Sequence, residues 1–389
     1  MKKVGIVTSN TSFANNYGAV LQCYALCGQL RKWGLDPYVI NYAYKNQGVE
    51  VTTATRTKRS ILSTIRYIIS QDVSVLQKVQ YRLMREKREK MRQQFLDFCN
   101  KYISFHSETP SNFSELEENP PDYEFFITGS DQVWNPVIHG NRNDKGCFLQ
   151  FAPPAAKRIA YAPSFGIKNY PKELEASLAQ YLSSFHSVSV REYEGQRIIK
   201  GACGIEVPVV LDPTLMADPD IYSEISNCSV ALPEKYILCY RFGRMPYATK
   251  IIKQASKALK LPVVELPLSI ESYGKGSTLC FDIDPSRFIG AIKGAELVLT
   301  DSFHCTVFAI LSHTPFYTFL RQAYGEKNNM NGRMEELLKM LNLEKRLITP
   351  KSAELLNLAL DMEKEFPVTE IKLCEMRAES QNYLKNALS

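Results

Sequence analysis

The chain has 389 residues, more than twice the length of an ordinary domain, with 45% hydrophobic and 23% charged residues, so two globular domains with ample core are expected. The formal net charge of +6 is mild for this length and suits a small anionic substrate or an anionic membrane surface as readily as nucleic acid. There is no run of eighteen apolar residues and no secretory-type apolar run after "MKK", which predicts a cytoplasmic protein with, at most, a peripheral contact at the inner face of a membrane.

In chain order, "KVGIVTS" reads as a short buried strand, and "NNYGAVLQCYALCGQLRKWG" as a helix with apolar positions at 20, 21, 24, 26 and 30 that ends at Gly34. "DPYVINY" is the next strand, so the chain opens as β-α-β and predicts a parallel sheet. Residues 56–102, with "RSILSTIRYIIS" and the densely charged "YRLMREKREKMRQQFLDFCNKY", are expected to form an inserted helical pair whose basic run is a solvated face.

The sheet resumes at "EFFITG" after a Pro-Pro turn, and "KRIAYAPSFG", "HSVSVREYEG" and "VPVVLDPTLM" supply further strands and loops. The second of these is expected to run from a strand into a helix at Arg191. A second β/α series then starts with "KYILCYRFG", "YATKIIKQASKALK", "LPVVEL", "DPSRFIGAIKGA" and "ELVLTDS". Two β/α domains are predicted, 1–215 and 216–389, with the C-terminal helix crossing back onto the first.

Ten cysteines without a CxxC pair, several in apolar runs, predict buried reduced thiols. The five histidines are scattered and show no HxxH or HExxH spacing, so no metal is expected. A P-loop and a GxSxG elbow are also absent.

In parallel α/β sheets, ligands bind beyond the carboxyl ends of the strands. Five polar loops fall there: "SNTSFANNYG", "TGSDQVWN", "SVREYEG", "LDPT" and "TDSFH". His304 lies in the first turn of a helix that Asp301 or Ser302 caps, where free N–H groups attract anions and an imidazole can add a proton. A lone histidine is more often a polar filler, but this position tips the reading toward a ligand site. His313, at the far end of that helix, reads as a partner of the C-terminal dipole.

Arg191 directly follows the apolar "VSV" and can grip a carboxylate or phosphate with two parallel bonds, the competing role being an ion pair with Glu192 or Glu194. Asp131 in "GSDQVW" either faces the cleft or caps a turn. Asn16, Tyr17 and Gly18 can cradle an anion or a sugar, and Arg333 starts a helix in "NGRMEELLKML".

Together, "NYGAVLQCYAL", "FITGSDQVWNP", "AYAPSFG", "SVREYEG", "VLDPTLM" and "LVLTDSFHCTVFAIL" resemble the polysaccharide pyruvyl transferase family over most of the chain. The resemblance implies two facing Rossmann-like domains, GT-B-like, with the site in the cleft between them. It also implies transfer of pyruvate from phosphoenolpyruvate onto a sugar diol, free or lipid-linked, as a ketal, with no cofactor. The family's arginine falls on Arg191 and its histidine on His304, while Ser302 and Phe303 stand where members often carry arginine and leucine.

In this scheme His304 is the acid, Arg191 and Arg333 hold the donor's anions with the amides after Asp301, and Asp131 is the base or an acceptor ligand. Asn16, Tyr17, Gly18 and Ser302 are the remaining substrate contacts. Two other classes fit the same loops: a GT-B glycosyltransferase using a nucleotide sugar, and a non-catalytic binding protein of a glycan pathway.

Overall fold

The computed structural model describes residues 1–9, 16–42, 75–110, 112–226, 231–243, 245–268, 272–273, 276–321, 332–352 and 365–389. The first half begins β1 (Lys3–Val7), α1 (Tyr17–Lys32), β2 (Asp36–Val39), α2 (Val75–Leu83), α3 (Arg85–Tyr102) and α4 (Phe113–Glu118). It continues β3 (Phe125–Thr128), β4 (Lys157–Ala160), α5 (Glu175–Leu182), β5 (Ser187–Val188), α6 (Tyr193–Cys203) and α7 (Pro213–Met216). The second half contains α8 (Ser223–Ser226), β6 (Ile237–Tyr240), α9 (Pro246–Leu259), β7 (Val263–Leu266), β8 (Thr278–Leu279) and α10 (Pro285–Lys293). It ends β9 (Leu297–Thr300), α11 (Phe303–Leu311), β10 (Phe316–Phe319), α12 (Gly332–Met340), β11 (Leu347–Ile348) and α13 (Glu365–Ala387).

The strands form two sheets, ordered β2-β1-β3-β4-β5 and β11-β10-β9-β6-β7-β8. Every pairing within them is parallel. All four residues of β3, β6, β9 and β10 are buried, as expected of parallel strands covered by helices on both faces. The chain is thus a two-domain α/β protein, and we propose residues 1–215 and 216–389 as its domains.

Helix α1 is buried almost all round, from Tyr17 to Cys27 and at Gln29 and Leu30, which marks a helix enclosed in a core rather than lying on a surface. Its two internal glutamines are satisfied: Gln22 Nε2 donates to Thr8 Oγ1 at 2.8 Å, and Gln29 Oε1 accepts from Asp218 N at 2.8 Å. One apolar cluster runs through α1 from the first sheet to the second, taking in Val4, Leu26, Tyr240, Phe288 and Phe308.

Helix α13 buries Phe366, Thr369, Leu373, Arg377, Ser380, Leu384 and Ala387, a spacing of three and four that lines one helical face. Its start lies on the second half, where Thr369 Oγ1 donates to Leu341 O at 3.2 Å, and the rest lies on the first half. Arg377 Nε donates to Leu215 O at 2.9 Å, Leu211 N donates to Ser380 Oγ at 2.9 Å, and Tyr383 donates to Ala160 O at 3.1 Å.

Three sequence expectations change in detail. The expected insertion is helical over α2 and α3, while residues 56–74 lie outside the described residues. After β5 the chain bends at Arg191 and Glu192, and the helix starts only at Tyr193. His313 has a left-handed backbone, φ 51°, and its exposed ring pairs with Glu370 at 3.3 Å, so it turns to a neighbouring helix instead of its own helix end. No described helix is long and apolar enough to cross a membrane.

Candidate active site

Two loops beyond the first-half strands β3 and β5, and a segment after the isolated bridge at Val209, meet the starts of two second-half helices. The first loop follows β3. Gly129 adopts φ +115°, and a Cβ there would lie 2.0 Å from Tyr161 O, so no other residue fits. The turn continues through Asp131, φ 65°, and aims its carboxylate at two arginines: Oδ1 is 3.6 Å from Arg191 Nη2 and 3.6 Å from Arg333 Nη1.

Arg191 is 3% exposed. Its Nη1 donates to Asp212 Oδ2 at 2.8 Å, and its Nε lies 3.6 Å from Glu192 Oε2. Its guanidinium lies over the Phe303 ring at 4.6 Å, a cation–π contact across the two halves. Burial opposes the charge of Arg191, but Asp212, Glu192 and Asp131 outweigh it and raise the group above its ordinary value. Two of its nitrogens, Nε and Nη2, have no hydrogen-bond partner.

The hub of the cluster is Asp212, which the sequence reading passed over. It is the N-cap of α7, with Pro213 at the first helical position, a combination favoured at helix starts. Its Oδ1 accepts from Thr214 N at 3.0 Å and Thr214 Oγ1 at 2.6 Å. Its Oδ2 accepts from Arg191 Nη1 and, at 2.9 Å, from Ser130 Oγ, and faces His304 Nε2 at 3.5 Å. Burial alone would raise the Asp212 carboxyl. Charge and hydrogen bonding from His304, then Arg191 and Thr214, override burial and hold it well below the usual carboxylate range. The signal available in the sequence was "LDPT", an aspartate before proline at a strand end.

His304 stands in the first turn of α11, 6% exposed, with Nε2 lacking a hydrogen-bond partner. Gly18 makes room for it: a Cβ on Gly18 would lie 2.1 Å from His304 Nδ1. The glycine therefore admits the histidine, where a sugar was expected. Ser302 is the N-cap of α11 and accepts from Cys305 N at 3.3 Å, while its own amide donates to Thr300 Oγ1 at 3.0 Å. Its hydroxyl is thus committed to the fold.

Asp301 faces elsewhere, accepting from Phe242 N at 2.8 Å and Gly243 N at 2.9 Å and pairing with Arg321 Nε at 3.0 Å. Asn16 caps α1, accepting from Gly18 N at 3.0 Å and Ala19 N at 3.3 Å. Tyr17 leaves the expected set of acceptor contacts: it is fully buried, donates to Ile283 O at 2.6 Å, and stacks on Phe288 at 4.2 Å.

Arg333 reaches the cluster from the start of α12, where a solvated side chain was the alternative. Burial, then the charge of Arg191, lowers its pKa to about 10, and its Nε has no hydrogen-bond partner. Glu192 is held by Ser164 Oγ at 2.6 Å and Phe165 N at 3.1 Å, with Oε2 unpartnered. Glu336 of α12 accepts from Tyr193 N at 2.7 Å, tying the second half to the start of α6. Burial, with help from Glu192 and Glu194, pushes Glu336 up to about 7.

Arg191, Glu192, Asp212, Phe303, Arg333 and Glu336 enclose only about 10 Å³, on the order of one water. Among the described residues no group of three His, Cys, Asp or Glu side chains is arranged to hold a metal ion.

Two parallel sheets with a charged junction between them define a GT-B-like protein. The fold is similar to the S. aureus MnaA-UDP co-structure, with TM-score 0.53, 11% identity, and coverage of 95% of this chain and 91% of that one. The UDP-GlcNAc 2-epimerase of Methanocaldococcus jannaschii, in complex with UDP-GlcNAc and UDP, aligns with TM-score 0.48 and 13% identity over 96% and 93% of the two chains. The UDP-N-acetylglucosamine 2-epimerase of Rickettsia bellii gives TM-score 0.47 and 10% identity over 100% and 96%. No match is found among curated proteins. The sequence pattern of the polysaccharide pyruvyl transferase family matches residues 16–322, well over half of the chain. The chain belongs to the polysaccharide pyruvyl transferase family.

Proposed function

We propose that the protein transfers pyruvate from phosphoenolpyruvate onto two hydroxyls of a glycan as a ketal, using the junction around Arg191 and His304. The observation that carries this reading is the set of donor atoms left without hydrogen-bond partners: Arg191 Nε and Nη2, Arg333 Nε and His304 Nε2. A buried charged donor without a partner is costly unless a ligand supplies one. Phosphoenolpyruvate offers a carboxylate and a phosphate to such groups.

Asp131 lies at 3.6 Å from both arginines, beyond hydrogen-bonding distance. The incoming anions displace that contact, while Asp212 keeps Arg191 in place. Room for the donor requires the two halves to part, since the space between Arg191, Phe303 and Arg333 is about 10 Å³; domain opening of this kind is common in two-domain enzymes.

The chemistry then balances as follows. His304 gives a proton to the methylene carbon, which becomes the methyl group, and C2 becomes oxocarbenium-like beside its phosphate oxygen. The first hydroxyl adds to C2 and loses its proton. The C2–O bond to phosphate breaks, the second hydroxyl adds, and its proton is lost. One released proton restores His304 and the other leaves with phosphate or solvent. Asp131, freed from the arginines, accepts a hydroxyl proton, and the arginines stabilise the departing phosphate.

Incubation of the purified protein with phosphoenolpyruvate and a glycan panel tests the reading. Phosphate release matched by a pyruvate-ketal mass gain supports it. Glycosyl transfer from a nucleotide sugar, with phosphoenolpyruvate inert, replaces it with the glycosyltransferase alternative. Absence of turnover with every donor leaves the non-catalytic binding protein.

A further inference from the structure

A cavity of about 470 Å³ lies between the inserted helices and the second sheet, lined by Tyr81, Arg85, Arg88, Arg92, Phe242 and Leu268 among others. Its volume falls in the range of small-ligand sites, whereas the space between Arg191, Phe303 and Arg333 holds about 10 Å³. Phe242 follows β6 and Leu268 follows β7, so the cavity opens where α/β sheets bind ligands.

Arg85, Arg88 and Arg92 lie at i, i+3 and i+7 of α3 and so share one face. Arg88 is fixed: its guanidinium stacks on Tyr81 at 3.5 Å and donates to Tyr81 O. Arg92 has an exposed pair with Glu89 at 3.1 Å, a contact weak enough to exchange for a ligand. Among the described residues Arg85 has no ion pair. Glu89 is the single acidic residue in the lining, so the wall carries excess positive charge. Opposite it, Phe242, Pro267 and Leu268 offer an apolar floor.

One lining residue is also tied to the turn that carries His304: Phe242 N donates to Asp301 Oδ1 at 2.8 Å, and Gly243 N to Oδ2 at 2.9 Å. A ligand resting on Phe242 therefore contacts a residue that is hydrogen-bonded to the Asp301–His304 turn.

We propose that this cavity binds the diphosphate of the acceptor, a glycosyl diphosphate, with the arginines on the phosphates and the apolar floor under the group attached to them. Naming the occupant an acceptor rests on the pyruvyl-transfer reading of the junction; the diphosphate chemistry does not. The charged stretch "RLMREKREKMRQQ", which reads as a solvated helix face, is then one wall of a binding site.

Calorimetric titration of the full chain with uridine diphosphate and with geranyl diphosphate tests this, beside the double variant Arg85→Gln, Arg92→Gln. Both arginines are exposed, so the variant is expected to fold. Its diphosphate affinity should fall by about tenfold or more, with phosphoenolpyruvate affinity within about twofold of wild type. Binding of the prenyl compound alone assigns a lipid-linked acceptor, and binding of the nucleotide alone a nucleotide-linked one. Failure of both to bind, or equal affinity in wild type and variant, overturns the proposal. Diphosphate binding without phosphoenolpyruvate binding leaves this site standing and removes the pyruvyl-transfer reading.

Discussion

Arg241 directly follows the buried strand β6 and Arg191 the buried pair Ser189–Val190; each is at most 3% exposed, and each is paired with a buried carboxylate. They use their nitrogens differently. Arg241 directs Nε and Nη2 at a single oxygen of Glu265, and its Nη1 reaches Thr249 Oγ1 at 3.4 Å. Arg191 hydrogen-bonds only through Nη1, to Asp212, and leaves Nε and Nη2 without hydrogen-bond partners, each 3.6 Å from a carboxylate of Glu192 or Asp131. Burial and pairing alone therefore do not mark a site. We propose that the site is marked instead by the donors held back at Arg191, Arg333 and His304, where both halves of the chain contribute.

The strongest way to break this distinction is at His304. His304→Gln keeps a polar group but removes the proposed acid, so turnover should fall by roughly a hundredfold to ten-thousandfold, with donor affinity much less affected. Single-turnover rates beside donor titrations check this; near-normal turnover would place the acid elsewhere.

Asp212→Asn comes next. It leaves Arg191 buried without its main partner and should destabilise the protein by about 3 kcal/mol at neutral pH. Because the Asp212 carboxyl is held below its ordinary range in the fold, its contribution is present above that range and lost as pH falls through the folded value. Urea midpoints for the two proteins should therefore converge on strong acidification, and a gap independent of pH would count against the pairing.

Gly18→Ala places a methyl group 2.1 Å from the present His304 Nδ1 position. Overpacking of this kind costs about 1–3 kcal/mol, and turnover should fall with stability because the imidazole must move. A fully active variant would show that the histidine's position is not critical.

How much of this was legible beforehand follows from which interactions are local. Parallel strands and their end loops were readable, because buried strands and β-α-β order are written in short segments such as "EFFITG" and "ELVLTDS". Asp131, Arg191, His304 and Arg333 could be named as polar groups at loop or helix starts. The hub role of Asp212 could not, since its partners Ser130, Arg191 and His304 come from three other segments and meet only on packing. Tyr17 shows the reverse failure: a polar residue in a promising loop turns its ring into the core, where Phe288 and Ile283 O satisfy it. Gly18 is expected from the sequence to let an acceptor approach closely, and the group beside it in the fold is His304. The accessible volume beside α3 was invisible because it forms between elements distant in sequence.

A smaller effect sharpens the account at the edge of the junction. Glu336 has its carboxyl raised to about 7, so the folded state takes up this proton more readily than the unfolded chain. Ionising it costs stability progressively as pH rises from the ordinary carboxylate range to about 7, and the loss is complete above that. Glu336→Gln keeps an acceptor for Tyr193 N and removes the cost. Its Tm gain over wild type should be larger at pH 8 than at pH 5, and an equal gain at both would contradict the burial argument.

The most direct measurement is phosphoenolpyruvate affinity by calorimetry for the wild type, Arg191→Lys and Arg241→Lys. Lysine cannot reproduce the two unused guanidinium donors of Arg191, so Arg191→Lys should bind the donor about tenfold or more weakly. Arg241→Lys should lose stability yet bind the donor as wild type does. Equal donor affinity in wild type and Arg191→Lys would contradict the claim that the junction's unpartnered donors are the donor site.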